Sequence, residues 1–355
     1  MRTSIFGSVI CTLLLLLPGC NGSGDNLKYE PPVFKEIIKA EAELLFPNDE
    51  FIHDQVQYMG VVDSLLIIQC KTINNEHRFH IFNKYTKTYI KSFGLLGQGP
   101  GELILPISRV SLDEATKTLY ASSNSQNKIV KFPIPEIIHQ DRTIFDETII
   151  NVITNYLYVY HVKSDIFLGG YLGFKYRFGL IKDGTEKDTI AGYNQYPPIP
   201  KEEENGEEVR RPFFLYRSSV AVKPDGSKFV NVTQCGLIME IFNIANNKII
   251  PESIHRYYKP NYTYNKKSKY VNLDKSEMDT YFTRATDKYI YVILIDDSNG
   301  KSPNSTLAVF DWSGMPVKQY VVDHRMTNFC IDEEDGKVYA LATKDGSRYF
   351  ISFKL

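Results

Sequence analysis

Short apolar, aromatic-rich runs separated by turn residues recur along most of this 355-residue chain, and this rhythm constrains its fold more than any other feature. The first set of runs spans residues 65–70, 80–82 and 89–93, with polar turns at Asn74-Asn75 and Asn83-Lys84. Runs of this length between turn residues are typical of β-strands joined as hairpins. The first set therefore predicts an antiparallel meander of about four strands.

Five further sets of strand-like runs follow at similar spacing. They span residues 110–132, 156–190, 214–250, 281–322 and 327–353. Asp-Gly pairs within the fourth and sixth sets favour tight hairpins because glycine accepts a positive φ. Further turns are predicted at residues 113–116, at Gly169-Gly170, at 182–185 and at 297–300.

Six sheet-sized units in one chain predict an all-β fold, a six-bladed β-propeller with four-stranded antiparallel blades. Their spacing of roughly 35 to 55 residues fits propeller blades better than a sandwich or an α/β fold. The main helical candidate is residues 31–45, which predicts a short N-terminal helix that caps the domain. Ring closure requires both ends of the chain to share a blade, and we expect residues 50–58 to pair with residues 349–355.

The start of the chain carries the pattern of an export signal. Arg2 is followed by an apolar run over residues 4–17, and Leu17-Pro18-Gly19-Cys20 ends that run with small residues before a cysteine. The run is shorter than the roughly 20 residues that span a membrane. This segment resembles the signals of bacterial lipoproteins, in which the cysteine is acylated and becomes the N-terminus; ordinary secretion is the alternative.

The lipoprotein resemblance implies a domain plan and a location. We expect a signal peptide over 1–19, lipidation at Cys20, a tether with the capping helix over 20–48, and a single propeller domain over 49–355. The protein would then be anchored by lipid in the bacterial cell envelope, at the outer membrane, facing either the periplasm or the surface.

Charge and cysteine content exclude several classes of function. With 41 basic and 42 acidic residues the chain is nearly neutral, so there is no electrostatic case for nucleic-acid binding. Apart from Cys11 and Cys20, the cysteines are Cys70, Cys235 and Cys330, without disulfide-framework or metal-knuckle spacing. Three buried thiols are the main interpretation. One disulfide among them is the alternative, and the spacing does not choose the pair.

A glycine-rich run, FGLLGQGPGEL at residues 93–103, is the most specific motif. It is followed by Pro106, by LYAS at 119–122 and by NKIVKF at 127–132. Together these residues resemble the blade junction of six-bladed β-propeller lipoproteins of Bacteroides-type bacteria, a TolB-like family similar in pattern to NHL-repeat propellers. Ser122 and Lys128 stand where NHL blades usually carry aspartate and arginine. The resemblance implies a propeller in the envelope and no particular activity.

The same run does not have the pattern of a phosphate-binding loop. The spacing of its glycines breaks the Gly-x-Gly-x-x-Gly pattern, and no Gly-Lys-Ser/Thr follows. We instead predict a structural turn between blades, made by Gly97, Gly99, Pro100 and Gly101, in which Glu102 anchors the turn through hydrogen bonds to the backbone.

Catalytic motifs are sparse in the sequence. The seven histidines form neither a His-Glu-x-x-His motif nor a compact cluster, and there is no Gly-x-Ser-x-Gly elbow. The acidic turn that begins at Asp296 lacks the distal glutamate of a calcium loop. We therefore assign no catalytic residue, no metal site and no cofactor, while a Ser/His/Asp arrangement built from distant blades stays open at this point.

Two long insertions are the best candidates for a contact surface. One spans residues 193–211 and contains the acidic run EEENGEE; the other, residues 256–270, interleaves five tyrosines with basic residues. Tyrosine rings stack on sugars or grip peptides, and lysines meet carboxylates. Packing of the tyrosines against the blades is the alternative. The predicted binding residues are Tyr257, Tyr258, Tyr262, Tyr264, Lys266 and Lys267.

These features predict a binding or assembly module of the cell envelope. Its expected partners are the membrane, through the N-terminal lipid, and a glycan, a peptide or an envelope protein. Propellers also host enzymes, so a lyase or hydrolase acting on a glycan or peptide at the channel mouth is the alternative, and a purely structural scaffold is the third.

Overall fold

The computed structural model describes most of the chain after its first 26 residues. The described ranges are 27–46, 56–70, 76–104, 107, 109–139, 145–149, 156–171, 176–182, 190–197, 216–265, 270–273, 278–295 and 304–355. The signal peptide, Cys20 and the acidic run of the first insertion lie outside them. Within residues 28–196 and 209–355, the described parts form one compact unit.

Six sheets of this unit are arranged as the blades of a propeller, and in four of them the strands follow chain order; each of the other two also contains an N-terminal strand. Two N-terminal strands come first, β1 (Glu36–Ala40) and β2 (Glu43–Leu44). Blade 1 comprises β3 (Val56–Val62), β4 (Leu65–Cys70), β5 (His77–Asn83) and β6 (Tyr89–Leu95). Blade 2 comprises β7 (Arg109–Asp113), β8 (Thr118–Ser123), β9 (Lys128–Pro133) and β10 (Glu147–Ile149), with the short helix α1 (Ile134–His139) after β9 and a 3-10 turn at Asn124–Gln126. Blade 3 comprises β11 (Tyr156–Lys163), β12 (Ile166–Tyr171), β13 (Phe178–Lys182) and β14 (Ala191–Tyr193).

The second half of the chain repeats the same plan. Blade 4 comprises β15 (Ser218–Val222), β16 (Lys228–Thr233), β17 (Leu237–Ala245) and β18 (Lys248–Tyr258), and a hairpin of β19 (Tyr262–Asn265) and β20 (Tyr270–Leu273) follows it. Blade 5 comprises β21 (Asp279–Ala285), β22 (Tyr289–Ile295), β23 (Ser305–Asp311) and β24 (Pro316–Val322). Blade 6 comprises β25 (Arg325–Asp332), β26 (Lys337–Lys344) and β27 (Ser347–Lys354), and β2 completes it.

The hydrophobic core is divided among the interfaces between blades. Six clusters of buried apolar side chains each join two neighbouring blades, and together they include all six interfaces of the ring. Between blades 1 and 2, for example, the ring of Phe93 lies 5.0 Å from Phe79 and 5.2 Å from Phe132. Because a middle strand is covered on both faces by adjacent blades, it is apolar along nearly its whole length instead of alternating. This explains why β4 and β22 are buried at almost every position.

The N-terminal segment forms strands, so the helix predicted over residues 31–45 is wrong. β1 adds to the outer edge of blade 5 in parallel with β24, and β2 pairs antiparallel with β27. The outer edges of blades 5 and 6 offer unpaired backbone groups, and pairing with them outweighs a local helical pattern. The segment from Lys28 to Leu45, which we call the strap, also hydrogen-bonds blade 4, where the Glu30 amide donates to Arg256 O at 3.0 Å.

Ring closure therefore differs from the prediction. Leu44, not a residue of 50–58, pairs with the last strand, opposite Ile351. The described part of 50–58 begins the inner strand β3 of blade 1. The closing strand precedes blade 1 by more residues than expected, so the propeller starts before residue 49.

One predicted turn also lies inside a strand. Gly169 and Gly170 belong to β12 and pair with Val159 and Tyr158 of β11. A side chain at Gly170 would collide with the ring of Tyr158. Glycine is required here by the close approach of an aromatic ring and not by a change of chain direction. Turns at 113–116 and at the three Asp-Gly pairs are confirmed.

Candidate functional site

The first strand of each blade lies nearest the propeller axis, and these six inner strands run in the same direction. They are β3, β7, β11, β15, β21 and β25, and neighbours among them are in contact, as β7 with β11 and β25 with β3. The turns that leave the inner strands therefore share one face of the ring, which we call the turn face. The opposite face, where the inner strands begin, we call the start face.

Acidic residues occur in all six turns of the turn face. Several are paired with lysines: Lys117 Nζ lies 2.5 Å from Asp63 of the adjacent blade, and Lys84 Nζ lies 2.6 Å from Asp332. The Lys84 side chain is fully buried; burial alone would lower its pKa, but the hydrogen bonds to Asp332 and Asp335 outweigh that effect and raise it. The acidic residues of the six turns, in chain order, are Asp63, Asp113, Glu114, Asp165, Asp225, Asp287, Asp332, Glu333, Glu334 and Asp335.

The pKa of Glu114 reflects the repulsion between these carboxylates. Its pKa is raised, first because surrounding protein displaces water and then because Glu333 and Asp287, from blades 6 and 5, carry the same charge. The side chain itself is solvent accessible. Carboxylates of blades 2, 5 and 6 thus influence one another, which indicates that they converge on the acidic mouth of the channel.

Arginines stand at the start face. Arg109 begins the inner strand of blade 2, Arg325 begins that of blade 6, and Arg217 immediately precedes that of blade 4. Arg109 Nε donates to the Tyr160 hydroxyl at 3.1 Å and its guanidinium lies 5.7 Å from the ring centre of Tyr158. Asp279 begins the inner strand of blade 5 at this face, so acidic and basic residues occur at both faces.

Arg284 lies between three blades at the axis. It is on the inner strand of blade 5, donates through Nη2 to Asn328 Oδ1 of blade 6 at 3.1 Å, and through Nη1 to its neighbour's carbonyl, Thr283 O, at 3.1 Å. The guanidinium carbon lies 5.6 Å from the ring centre of Tyr58 in blade 1 and 5.8 Å from that of Phe329. Its Nε is buried and makes no hydrogen bond.

No described carboxylate lies within ion-pair distance of Arg284. Asn328 is fully buried and is held in turn, since its Nδ2 donates to Val56 O at 3.4 Å. Burial raises the pKa of the Tyr58 phenol, and the nearby positive charge of Arg284 opposes that rise. Tyr58 therefore keeps its proton and can donate a hydrogen bond.

Arg177 provides a contrast with Arg284. It forms a bidentate pair with Glu240 of the next blade, with Nη1 2.8 Å from Oε1, and both side chains are buried. Asn231 Nδ2 donates to Glu240 Oε2 at 3.0 Å, and the ring centre of Tyr196 lies 4.6 Å from the guanidinium. Burial alone would lower the pKa of Arg177, but the charge of Glu240 raises it. This pair is neutralised inside the protein and joins blades 3 and 4.

The residues predicted to bind a partner do not form one surface in the structure. Tyr257 is buried in blade 4 with its hydroxyl donating to Gly314 O, burial raises its pKa to about 12, and Tyr258 packs against the same core. Tyr262 and Tyr264 belong to the β19–β20 hairpin, and Lys266 and Lys267 lie outside the described residues. The first two tyrosines of this segment therefore pack against the blades, which was the alternative to partner binding.

The predicted structural turn joins blade 1 to blade 2. Gly99 N donates to Glu102 Oε2 at 2.8 Å, which is the backbone hydrogen bond expected of Glu102. Gly101 has φ of 74°, and a Cβ there would lie 2.8 Å from Phe145 N. Gly97 and Gly99 leave room for the Glu102 side chain, and Pro100 lies between the two close approaches. The motif fixes the path of the backbone between blades 1 and 2.

The cysteines and acids of the described residues do not suggest metal or thiol chemistry. Cys70, Cys235 and Cys330 are buried thiols that form no disulfide with one another, which confirms the main interpretation, and burial raises the pKa of Cys330. Within the described ranges, no group of three or more His, Cys, Asp and Glu side chains is placed to hold a metal ion. No helix there is long and apolar enough to cross a membrane.

Comparison with known proteins places this chain among six-bladed propellers. A family model described as TolB-like 6-blade propeller-like matches residues 33–334. A protein of Bacteroides fragilis NCTC 9343 described as exported is 14% identical, with a TM-score of 0.53 and coverage of 92% of this chain and 97% of its own. A member of the DUF4221 family from Bacteroides vulgatus ATCC 8482 is 11% identical, with a TM-score of 0.56 and coverage of 89% and 96%. At these identities the two structures share the fold alone. No curated protein matches the chain.

Proposed function

Because the chain belongs to the TolB-like 6-blade propeller family, we propose that it is an exported, lipid-anchored module of the bacterial cell envelope that binds a ligand or a partner protein. Export is supported by the description of the Bacteroides fragilis neighbour and by the N-terminal signal pattern. Lipid anchoring rests on Cys20 and its preceding residues.

One observation carries the binding role. Polar and aromatic side chains from blades 5, 6 and 1, namely Arg284, Asn328 and Tyr58, converge at the axis with hydrogen-bonding capacity left over. Binding sites in proteins combine aromatic walls with a few well-placed polar groups. The β19–β20 hairpin, with Tyr262, Tyr264 and the following lysines, is a second candidate surface for a peptide or envelope protein.

Anchoring is tested by replacing the acylated residue. We expect the full chain to incorporate a labelled fatty acid and to fractionate with membranes, and the Cys20→Ser variant to do neither. A wild-type chain that stays unlabelled and does not fractionate with membranes would contradict the lipid anchor, and ordinary secretion would then be the remaining interpretation of the signal.

Binding is tested on the chain that starts after Cys20. Thermal unfolding in the presence of neutral oligosaccharides, acidic oligosaccharides and short peptides should show a raised midpoint with at least one class, because a ligand of the folded state stabilises it. Chromatography of the same mixtures distinguishes an intact ligand from cleaved products. Cleavage would replace the binding role by the lyase or hydrolase alternative, and no shift with any class would contradict a small-ligand role.

A further inference from the structure

We propose that Arg284 is the anchor of a carboxylate-binding site at the propeller axis, with Asn328 and Tyr58 as its supporting residues. This inference rests on the proposed binding function and names the chemistry of the ligand. It is carried by the lack of a described carboxylate beside Arg284, by its unused donors and by the aromatic rings that surround it.

The charge of Arg284 has no described carboxylate as its partner. Among the four fully buried cations of the described residues, Arg177 and Lys84 are matched by carboxylates at hydrogen-bond distance, and Lys128 Nζ donates to Gly99 O at 3.3 Å. The fourth, Arg78 on the third strand of blade 1, has Nε and Nη1 without a hydrogen bond. Arg284 has only an amide oxygen and a carbonyl as acceptors among the described residues. A guanidinium removed from water without a counter-charge costs free energy, and a bound carboxylate would remove that cost.

The unused donors of Arg284 suit a carboxylate. A guanidinium has five N–H donors, and two are used here. One N–H of Nη1 and one of Nη2 remain and can donate to the oxygens of a carboxylate, whereas Nε–H is buried without an acceptor among the described residues. Because Asn328 is itself fixed by Val56 O, the fork of Arg284 is already oriented.

The Arg284 side chain reaches solvent in part. Arg284, Tyr58 and Phe282 are each half-buried, while Nε of Arg284 is buried. The aromatic rings of Tyr58 and Phe282 lie within 5.7 Å of the guanidinium carbon and would contact the body of a ligand whose carboxylate reaches Arg284.

The test is a titration of carboxylate probes into the chain that starts after Cys20. Binding is measured by calorimetry and by the NMR signals of the arginine Nε–H groups. Galacturonate oligosaccharides and short peptides with a free C-terminus are the two carboxylate probes. Their matched controls are the reduced, neutral oligosaccharide and the C-terminally amidated peptide. We expect one acid probe to bind, its neutral counterpart to bind at least about tenfold more weakly, and the Arg284 Nε–H signal to shift.

Variants assign the effect to Arg284. Arg284→Gln should lose about tenfold or more of the affinity for the acid probe, and Arg284→Lys should regain only part of it because lysine lacks the fork. Lys248→Gln removes one charge on the outer edge of blade 4 and should bind as the wild type does. Unfolding midpoints of all variants verify the fold.

Three outcomes would overturn the proposal. Equal binding of acid and neutral probes, or equal affinity of wild type and a folded Arg284→Gln variant, removes the site while leaving the proposed binding function in place. Binding of neither acid probe also rejects the carboxylate class; binding of neutral probes alone keeps the module but with another ligand. If neither the acid probes nor their neutral counterparts bind, the proposed binding function itself is rejected.

Discussion

At the scale of single residues, Gly101 and Gly336 distinguish two penalties of replacing a glycine: the strain of a positive φ and the collision of a new Cβ with its neighbours. Gly101 has a positive φ, and a Cβ there would lie 2.8 Å from the backbone nitrogen of Phe145. Gly336 also has a positive φ, of 58°, but nothing lies within 4 Å of a Cβ at that position. The first position requires glycine for conformation and space, the second for conformation alone.

We therefore predict that Gly101→Ala destabilises the protein by about 2 to 4 kcal/mol and Gly336→Ala by about 1 kcal/mol. Denaturant unfolding of both variants measures the difference. Equal losses would mean that the blade junction relaxes around the added methyl group, and the close approach would then not be what requires glycine at Gly101.

The pair between Arg177 and Glu240 gives a second prediction. Glu240→Gln keeps an oxygen for Asn231 but leaves the buried guanidinium without a counter-charge, so we expect a loss of about 3 kcal/mol. Arg177→Met leaves a buried carboxylate and should cost a similar amount. The double variant, Arg177→Met with Glu240→Gln, should lose less than the sum of the two single losses, because neither charge is then unmatched. Additive losses in urea unfolding would show that the two charges do not interact.

Glu114 predicts a pH dependence of stability. Its pKa is raised in the folded protein, so the fold binds its proton more tightly than the unfolded chain does. The ionised form therefore destabilises the fold at neutral pH, and this cost disappears as pH falls through the raised pKa. Glu114→Gln should raise the unfolding midpoint by about 1 °C at neutral pH and by nothing near about pH 3, where glutamate is protonated in both states.

The control for Glu114 is Glu36, an exposed residue of β1 on the outer edge of blade 5. Glu36→Gln removes the same charge away from the acidic mouth and should leave the midpoint within a few tenths of a degree. A pH-independent gain in Glu114→Gln would point to packing instead of charge.

At the scale of strands and blades, much of the fold could be predicted from the sequence. The six units, the four-stranded blades and the family resemblance of residues 93–132 are confirmed, because turn residues and apolar runs are local signals. Three predictions, the N-terminal helix, ring closure by residues 50–58 and the turn at Gly169-Gly170, failed for the same physical reason. The strap pairs with distant edges of blades 5 and 6, and Gly170 adapts to the ring of Tyr158; neither partner is visible in the local sequence.

The candidate site was harder to predict than the strands. Arg284, Asn328 and Tyr58 are separated by up to 270 positions in sequence and meet because inner strands of three blades share one axis. An Arg in an inner strand has no local feature that separates it from a surface arginine. The tyrosine-rich segment was visible in the sequence, but its first two tyrosines pack into blade 4.

At the scale of the whole molecule, the strap determines how the ring is closed. It hydrogen-bonds blade 4, adds a strand to blade 5 and completes blade 6, and Phe34 packs edge-on against Phe310 with ring centres 5.6 Å apart. Because each apolar cluster joins two blades, an open ring would weaken two neighbouring interfaces at once. The stability of the propeller should therefore depend on a segment outside its repeating units.

We predict that a chain starting at Phe46 loses several kcal/mol of unfolding free energy relative to a chain starting at Lys28, about 5 kcal/mol from the lost strand pairing and apolar burial. Its denaturant transition should also broaden, because blades 5 and 6 would unfold before the others. A chain starting at Gly22 is the control and should match the one starting at Lys28. If the shortest chain unfolds with the same midpoint and slope as the longer ones, the ring closes through contacts between blades 6 and 1 alone, and the strap is an attachment to the fold and not part of it.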